Sequence, residues 1–173
     1  MHIRSRETLA LLFLLCLAGC TKAPVSNSDA GSNEPPGIAS TDVVEATPQE
    51  VMIARGESGD VIVPIKITHG YHVNANPPSY SYLKATELEL QPEAGISVEF
   101  ITYPDPLVKK FAFAEKPLAV YEGETILKAR LKAEPSAPVG KHNLSAKLRV
   151  QACDDKLCYP PGVLDVTVPV NIR

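Results

Sequence analysis

The reactive chemistry of this sequence is concentrated in one stretch, Gln151-Ala152-Cys153-Asp154-Asp155-Lys156-Leu157-Cys158-Tyr159-Pro160-Pro161, where two cysteines stand with four residues between them. Segments on both sides read as β-strands, so the pair is expected at the neck of a hairpin with its thiols facing each other. Directly opposed residues at non-hydrogen-bonded positions of an antiparallel pair have Cα atoms about 4.5 Å apart, at the short edge of the comfortable disulfide range. Accessible or strained disulfides are the labile ones, and relaxed buried ones are structural. Three chemistries stay open at this level: a structural staple, a redox couple and part of a metal site.

The flanking charges bear on the choice. Asp154 and Asp155 disfavour a thiolate at Cys153, and Lys156 offsets only part of that. The hairpin lacks the electropositive helix end that activates thioredoxin-type cysteines, which argues against a spontaneous oxidant and for a carrier that reacts when docked to a partner. A metal site would require His69, His72 or His142 to join the two sulfurs, since one hairpin supplies only half of a zinc site. His69 and His72, three apart on a strand, would point to opposite faces. The plain reading makes His72 a partly buried strand residue and His142 an exposed one.

The N-terminus sets the compartment. His2, Arg4 and Arg6 form a basic region, Leu9 to Ala18 an apolar stretch too short for a stable membrane span, and Leu17-Ala18-Gly19-Cys20 a processing site. This arrangement resembles the lipobox of bacterial lipoproteins, which implies cleavage before Cys20 and lipidation of its sulfur and new amino group. Several acyl chains on one residue anchor firmly where one would hold marginally. Thr21 in place of Asp slightly favours the outer membrane in the enterobacterial sorting rule. With Cys16 in the discarded peptide and Cys20 lipidated, Cys153 and Cys158 are the free pair in an oxidising compartment.

From Thr21 to Thr41 the chain is rich in Ser, Asn, Gly, Pro and Ala, the composition of a flexible tether with a reach on the order of 25 Å. The organisation expected is a signal peptide at 1–19, lipidated Cys20 and tether at 20–41, and one folded domain at 42–173. Net charge is −3 with no basic patch, which excludes nucleic acid as a natural partner, and no later apolar run is long enough to span a membrane.

The elements that must position the cysteines are short Val-, Ile-, Leu- and Thr-rich runs punctuated by Pro and Gly, with no helical period and no repeat. Strands are expected near Val43–Ala46, Val51–Ala54, Asp60–Thr68, Tyr71–Ala75, Thr86–Leu90, Ile96–Tyr103, Val120–Ala133, Lys141–Ala152 and Leu164–Ile172. Val61, Val63, Ile65 and Ile67 alternate with polar positions, as do Leu144, Ala146, Leu148 and Val150. Pro64 and Pro169 point to edge strands or bulges. The fold class is all-β, an immunoglobulin-like antiparallel β-sandwich, without the tryptophan and inter-sheet disulfide of antibody domains. Between strands, His69–Pro78 and Tyr103–Pro117 are longer than a connection needs. In the second, Phe111 and Phe113 either plug the core beneath the loop or supply a lid over the disulfide.

Gln151-x-Cys153 with Cys158-Tyr159-Pro160-Pro161 and a Val-rich last strand resembles the N-terminal periplasmic domain of the DsbD thiol:disulfide interchange reductases. The likeness continues through Gly70-Tyr71-His72-Val73-Asn74 and through Phe111-x-Phe113 to Pro117-Leu118-Ala119-Val120-Tyr121-Glu122-Gly123. It implies a sandwich whose cysteines accept reducing equivalents from a thioredoxin-like domain and pass them to periplasmic disulfide proteins, such as disulfide isomerases and cytochrome c maturation factors. By position, Cys158 would form mixed disulfides and Cys153 would resolve them. Phe113, or else Phe111, would match the protective aromatic of the cap loop, and His72, Asn74 and Tyr159 would line the site. No metal or organic cofactor is needed for such exchange. The chain ends at Arg173, soon after its last strand, so the expected donor is another polypeptide, a thioredoxin-like protein or a DsbD- or CcdA-type membrane reductase. The family's acidic cap residue has no counterpart beside Phe113. The alternative, from a different class, is a lipid-anchored binding or assembly sandwich with a structural Cys153–Cys158 disulfide.

Overall fold

The computed structural model describes residues 37–93 and 95–173. The expected signal, Cys20 and most of the tether lie outside the described residues. A 3-10 turn, Ser40–Val43, leads into β1 (Val44–Ala46), β2 (Val51–Ile53), β3 (Ser58–Ile67), β4 (His72–Asn74), β5 (Glu87–Leu90), β6 (Ile96–Thr102), β7 (Leu107–Lys109), β8 (Leu118–Tyr121), β9 (Glu124–Ala133), β10 (Gly140–Val150), β11 (Ala152–Cys153) and β12 (Gly162–Ile172). Two four-stranded sheets, in orders β1-β3-β9-β6 and β2-β12-β10-β5, form the immunoglobulin-like sandwich, and a third is ordered β11-β4-β8-β7. Pairing is antiparallel except between β2 and β12.

Alternation places the core as the sequence predicts. Val61, Val63, Ile65 and Ile67 of β3 and Leu144, Ala146, Leu148 and Val150 of β10 are all buried, with the intervening side chains turned outward or toward partial cover.

Two long strands expected to be continuous are broken, and both breaks serve the third sheet. The run 120–133 divides at Glu122-Gly123, where Gly123 adopts φ +59°, a conformation L side chains rarely take. β8 then belongs to the third sheet and β9 to the first. The run 141–152 divides at Gln151: β10 stays with β12, and β11 leaves to pair with β4. Val150 pairs with Gly162, so residues 151–161 are the whole connection between β10 and β12, and the cysteine hairpin is carried on it.

Pro64 and Pro169 are not on edge strands. β3 and β12 are both inner strands, but each proline sits where one neighbour has stopped. Pairing with β1 ends at Ile65, and pairing with β2 begins at Val170, so neither missing N–H interrupts a ladder. β7 falls inside an expected loop. All three of its residues are exposed, so it carries no alternation to read.

Residues before 42 also take part in the packing of the sandwich. Ser40 is fully buried, and Thr41 packs against Gly162, where a Cβ would stand 2.6 Å from the Thr41 methyl.

Candidate functional site

The third sheet separates its two faces by strand alternation. Val73, Ala152 and Tyr121 join the main core, whereas Cys153, His72, Asn74, Val120 and Leu118 occupy the other face. That second face is covered by Phe111 and Leu83, which form a separate buried cluster with Leu118 and Val120. Cys158, Ala114 and Tyr80 pack on its margin. The site is therefore the interior of a small second core laid over one end strand set.

Cys153 and Cys158 are bonded to each other, and they oppose as an antiparallel bridge with Cα atoms 3.9 Å apart. The flanking hydrogen bonds are Asp154 N–H to the Leu157 carbonyl, 3.0 Å, and Tyr159 N–H to the Ala152 carbonyl, 2.8 Å. The cysteines thus take the non-hydrogen-bonded position considered from the sequence. The two sulfur-bearing residues are unequal: Cys153 is 0% exposed, whereas Cys158 is partly open to solvent.

Backbone and side-chain polar groups hold the hairpin on both arms. Ser40 Oγ accepts from the Ala152 N–H at 2.9 Å and donates to the Pro160 carbonyl at 2.6 Å, tying the entering and leaving segments to the start of the domain. Gln151 Oε1 accepts from Asn74 Nδ2 at 3.1 Å and from the Lys84 N–H at 2.8 Å, while its Nε2 donates to the Tyr159 carbonyl at 3.3 Å. These bonds explain the strand break at Gln151, whose amide fastens the corner where the chain changes sheet.

Asp154 is absorbed by the turn. Its Oδ1 accepts from the N–H groups of Lys156, 2.7 Å, and Leu157, 2.8 Å, and its Oδ2 from the Tyr159 hydroxyl, 2.8 Å. The Leu157 and Lys156 amides, then the Tyr159 hydroxyl, hold the Asp154 carboxyl below its ordinary pKa, and the same hydroxyl bond pushes the Tyr159 phenol up to about 12. The Tyr159 contribution to stability is complete below the unfolded phenol's value, about 10, and is lost as pH rises through 12. The Asp154 contribution is present above the unfolded carboxyl's value and lost as pH falls through its depressed one. Tyrosinate absorbance should include a step near pH 12 from Tyr159, beside Tyr103 and Tyr121, which burial also raises, and comparison with Asp154→Asn should show that step alone moving toward the ordinary phenol value; an unchanged titration would show that the bond is not made in solution.

The two phenylalanines differ in placement. The Ala114 N–H donates to the Phe111 carbonyl, 3.2 Å, in a turn that defeats the shared face expected of an extended segment. Phe111 goes inward, 5% exposed, its ring stacked on His72 with centroids 4.1 Å apart. Phe113 stays at the surface, 39% exposed, stacked on Phe111 at 5.5 Å. Phe113, Tyr82, Leu83, Ala114, Leu118 and Gln151 line a pocket of about 280 Å³ that also includes Cys158. The partly accessible cysteine therefore lies in a recess of mixed polar and apolar surface.

His72 is buried rather than partly exposed, and it pairs directly with Cys153 across β4 and β11. Burial pushes its pKa below 6.5, against the pull of the Glu122, Asp155 and Asp154 carboxylates and helped by Lys109. His69 does not lie on a strand opposite it, because Thr68–Tyr71 is a turn closed by the Tyr71 N–H to the Thr68 carbonyl, 3.0 Å. Both histidines line one open cleft of about 710 Å³. His142 is half-buried on β10, its Nε2 2.9 Å from the Pro138 carbonyl. Among the described residues, no three His, Cys, Asp or Glu side chains gather as metal ligands would.

The sequence-selected residues Cys153, Cys158, His72, Asn74, Phe111, Phe113 and Tyr159 thus converge around one hairpin. Asn74 is fully buried, and its Oδ1 has no hydrogen-bond partner. Ser40 and the Tyr80–Leu83 segment join them with little sign in the sequence. Ser40 sits in tether-like composition, and the available signal for the second is the alternating aromatic pattern Ser79-Tyr80-Ser81-Tyr82. Ser79 Oγ accepts from the Ala119 N–H, 2.7 Å, and the Tyr80 hydroxyl from the Lys116 N–H, 3.1 Å, so this segment buttresses the end of the loop that carries Phe111 and Phe113.

Fold and site together define an immunoglobulin-like sandwich with a disulfide of one buried and one accessible cysteine on a capped side hairpin. The chain belongs to the family described as thiol:disulfide interchange protein DsbD, N-terminal, which matches residues 41–169. Among solved structures, the N-terminal periplasmic domain of ScsB from Proteus mirabilis aligns with TM-score 0.53 and 14% identity over 78% of this chain and 49% of that one. This chain therefore spans about half the length of that domain. A family 123 glycoside hydrolase from Clostridium perfringens aligns at TM-score 0.31 and 11% identity, over 76% of this chain and 28% of that one. No curated protein sequence matches the chain.

Proposed function

We propose that this domain is a periplasmic thiol:disulfide exchange module, tethered to a membrane through lipid on Cys20, that carries reducing equivalents from a thioredoxin-like or membrane reductase donor to periplasmic disulfide proteins. A donor thiolate attacks Cys158 Sγ, and Cys153 leaves as a thiolate that takes up a proton. The donor's second thiol then releases the domain in its dithiol form. In the second half, the Cys158 thiolate attacks the acceptor disulfide and Cys153 resolves the mixed disulfide, so two electrons pass to the acceptor.

The unequal exposure of the pair carries this reading, since Cys158 borders an open recess beside Phe113 and Tyr82 while Cys153 has no solvent access. Phe113 serves as the mobile part of the cap, with Phe111 as its fixed base, and Tyr159 and Asn74 frame the hairpin. Cys153→Ser should accumulate mixed disulfides with partner proteins through Cys158 in cells, resolved by non-reducing electrophoresis and reversed by reductant. Only monomer, with Cys158 free, would contradict the carrier role.

A further inference from the structure

The third sheet buries a titratable group that the exchange cycle above does not use. His72 is 2% exposed, opposes Cys153 in register, and its Nε2 has no hydrogen-bond partner. Directly opposed side chains on adjacent strands have Cβ atoms about 4.5–5.5 Å apart, within reach of a ring and a sulfur. A buried nitrogen without a partner is unfavourable, and neutral imidazole can use that nitrogen as donor or acceptor. In the disulfide state Cys153 sulfur has no proton to offer; on reduction it becomes a thiol directly across the ladder.

Cys153 needs such a neighbour. It is fully buried, and Asp154 and Asp155 beside it work against a thiolate. The groups that face His72 are Glu122 beyond β8, Lys109 on β7, and Asp154 and Asp155 on the cysteine hairpin. Glu122 and Lys109 bind each other at 2.6 Å, and Asp154 is held in its turn, so none is committed to the imidazole. His72 also borders the cleft formed with His69, Tyr71, Lys109, Glu122 and Asp155, on which Cys158 does not open. The His72 ring therefore borders solvent on a side apart from the recess that contains Cys158.

We propose that His72 is the proton acceptor for Cys153 in the resolving step, an inference that rests on the exchange reading above. Nε2 takes the Cys153 thiol proton, and the thiolate attacks Cys158 Sγ of the mixed disulfide. The Cys153–Cys158 bond forms as the bond from Cys158 to the partner sulfur breaks. Cys153 is oxidised, the partner sulfur leaves as a reduced thiolate, and the proton passes from His72 to that thiolate or to water in the cleft. Burial lowers the imidazole's pKa and so favours the neutral form that an acceptor needs.

The reduced protein treated with one equivalent of 5,5′-dithiobis(2-nitrobenzoate) separates the steps. Cys158 attack releases the first thionitrobenzoate, and displacement by Cys153 releases the second. His72→Phe and His72→Gln should slow the second phase by about tenfold or more at pH 7 while leaving the first nearly unchanged. Both variants should also need a higher pH to regain the wild-type second-phase rate. A second phase with wild-type rate and pH profile in both variants, or equal slowing of both phases in both, would overturn the proposal. A wild-type trace with no second phase would instead overturn the exchange reading on which it rests.

Discussion

Phe111→Ala is expected to destabilise the domain by about 3–5 kcal/mol, the usual cost of emptying a buried phenylalanine site. Phe111 is the largest buried member of the small second core, stacks on His72 and Phe113, and packs with Leu83, Leu118 and Val120. Against a total stability of about 5–15 kcal/mol for a typical domain, that loss is severe. It should also remove the fixed base of the cap, so that glutathione reduces the disulfide faster in the folded fraction than in wild type. Phe111→Leu, which keeps most of the volume, should recover most of the stability. Urea unfolding and glutathione kinetics of the two variants check both halves; a Phe111→Ala protein of near wild-type stability would show that the second core does not hold the cap.

Cys158→Ser is expected to abolish exchange, by about a thousandfold or more, the scale seen when a covalent nucleophile is removed. The remaining thiol at Cys153 is 0% exposed and walled by Ala152, His72 and the hairpin, so no partner sulfur can reach it in the folded domain. Alkylation by a small reagent should be correspondingly slow in Cys158→Ser and fast in Cys153→Ser. Comparable labelling of the two variants would mean that the hairpin opens and that the asymmetry seen in the fold does not govern reactivity.

The large sheets were legible because their strands are half-buried and alternate cleanly, as in β3 and β10. The hairpin that brings the two cysteines face to face was legible from the strands on either side, whereas the choice among staple, redox couple and metal ligand was not. Corners were not: Glu122-Gly123 and Gln151 interrupt runs whose apolar pattern continues on either side, because the strands keep their burial while changing sheet. The roles of Phe111 and Phe113 depend on a turn between them that an extended reading misses. Ser40 has the composition of a tether, yet two hydrogen bonds to residues more than a hundred positions away place it under the site. Such long-range polar anchors leave no periodic trace in sequence. The prolines show the converse, since Pro64 and Pro169 mark where a neighbouring strand ends rather than where a sheet does.

The reduction potential of the Cys153–Cys158 pair, measured by equilibration with glutathione buffers while far-UV circular dichroism follows the fold, tests the exchange role most directly. A working couple should poise above about −300 mV, with the sandwich intact after reduction. Closing so short a loop contributes only about 2 kcal/mol, and Ser40, Gln151 and Asp154 hold the hairpin without it. A potential below about −300 mV, together with loss of the folded signal on reduction, would identify a structural staple and contradict the account.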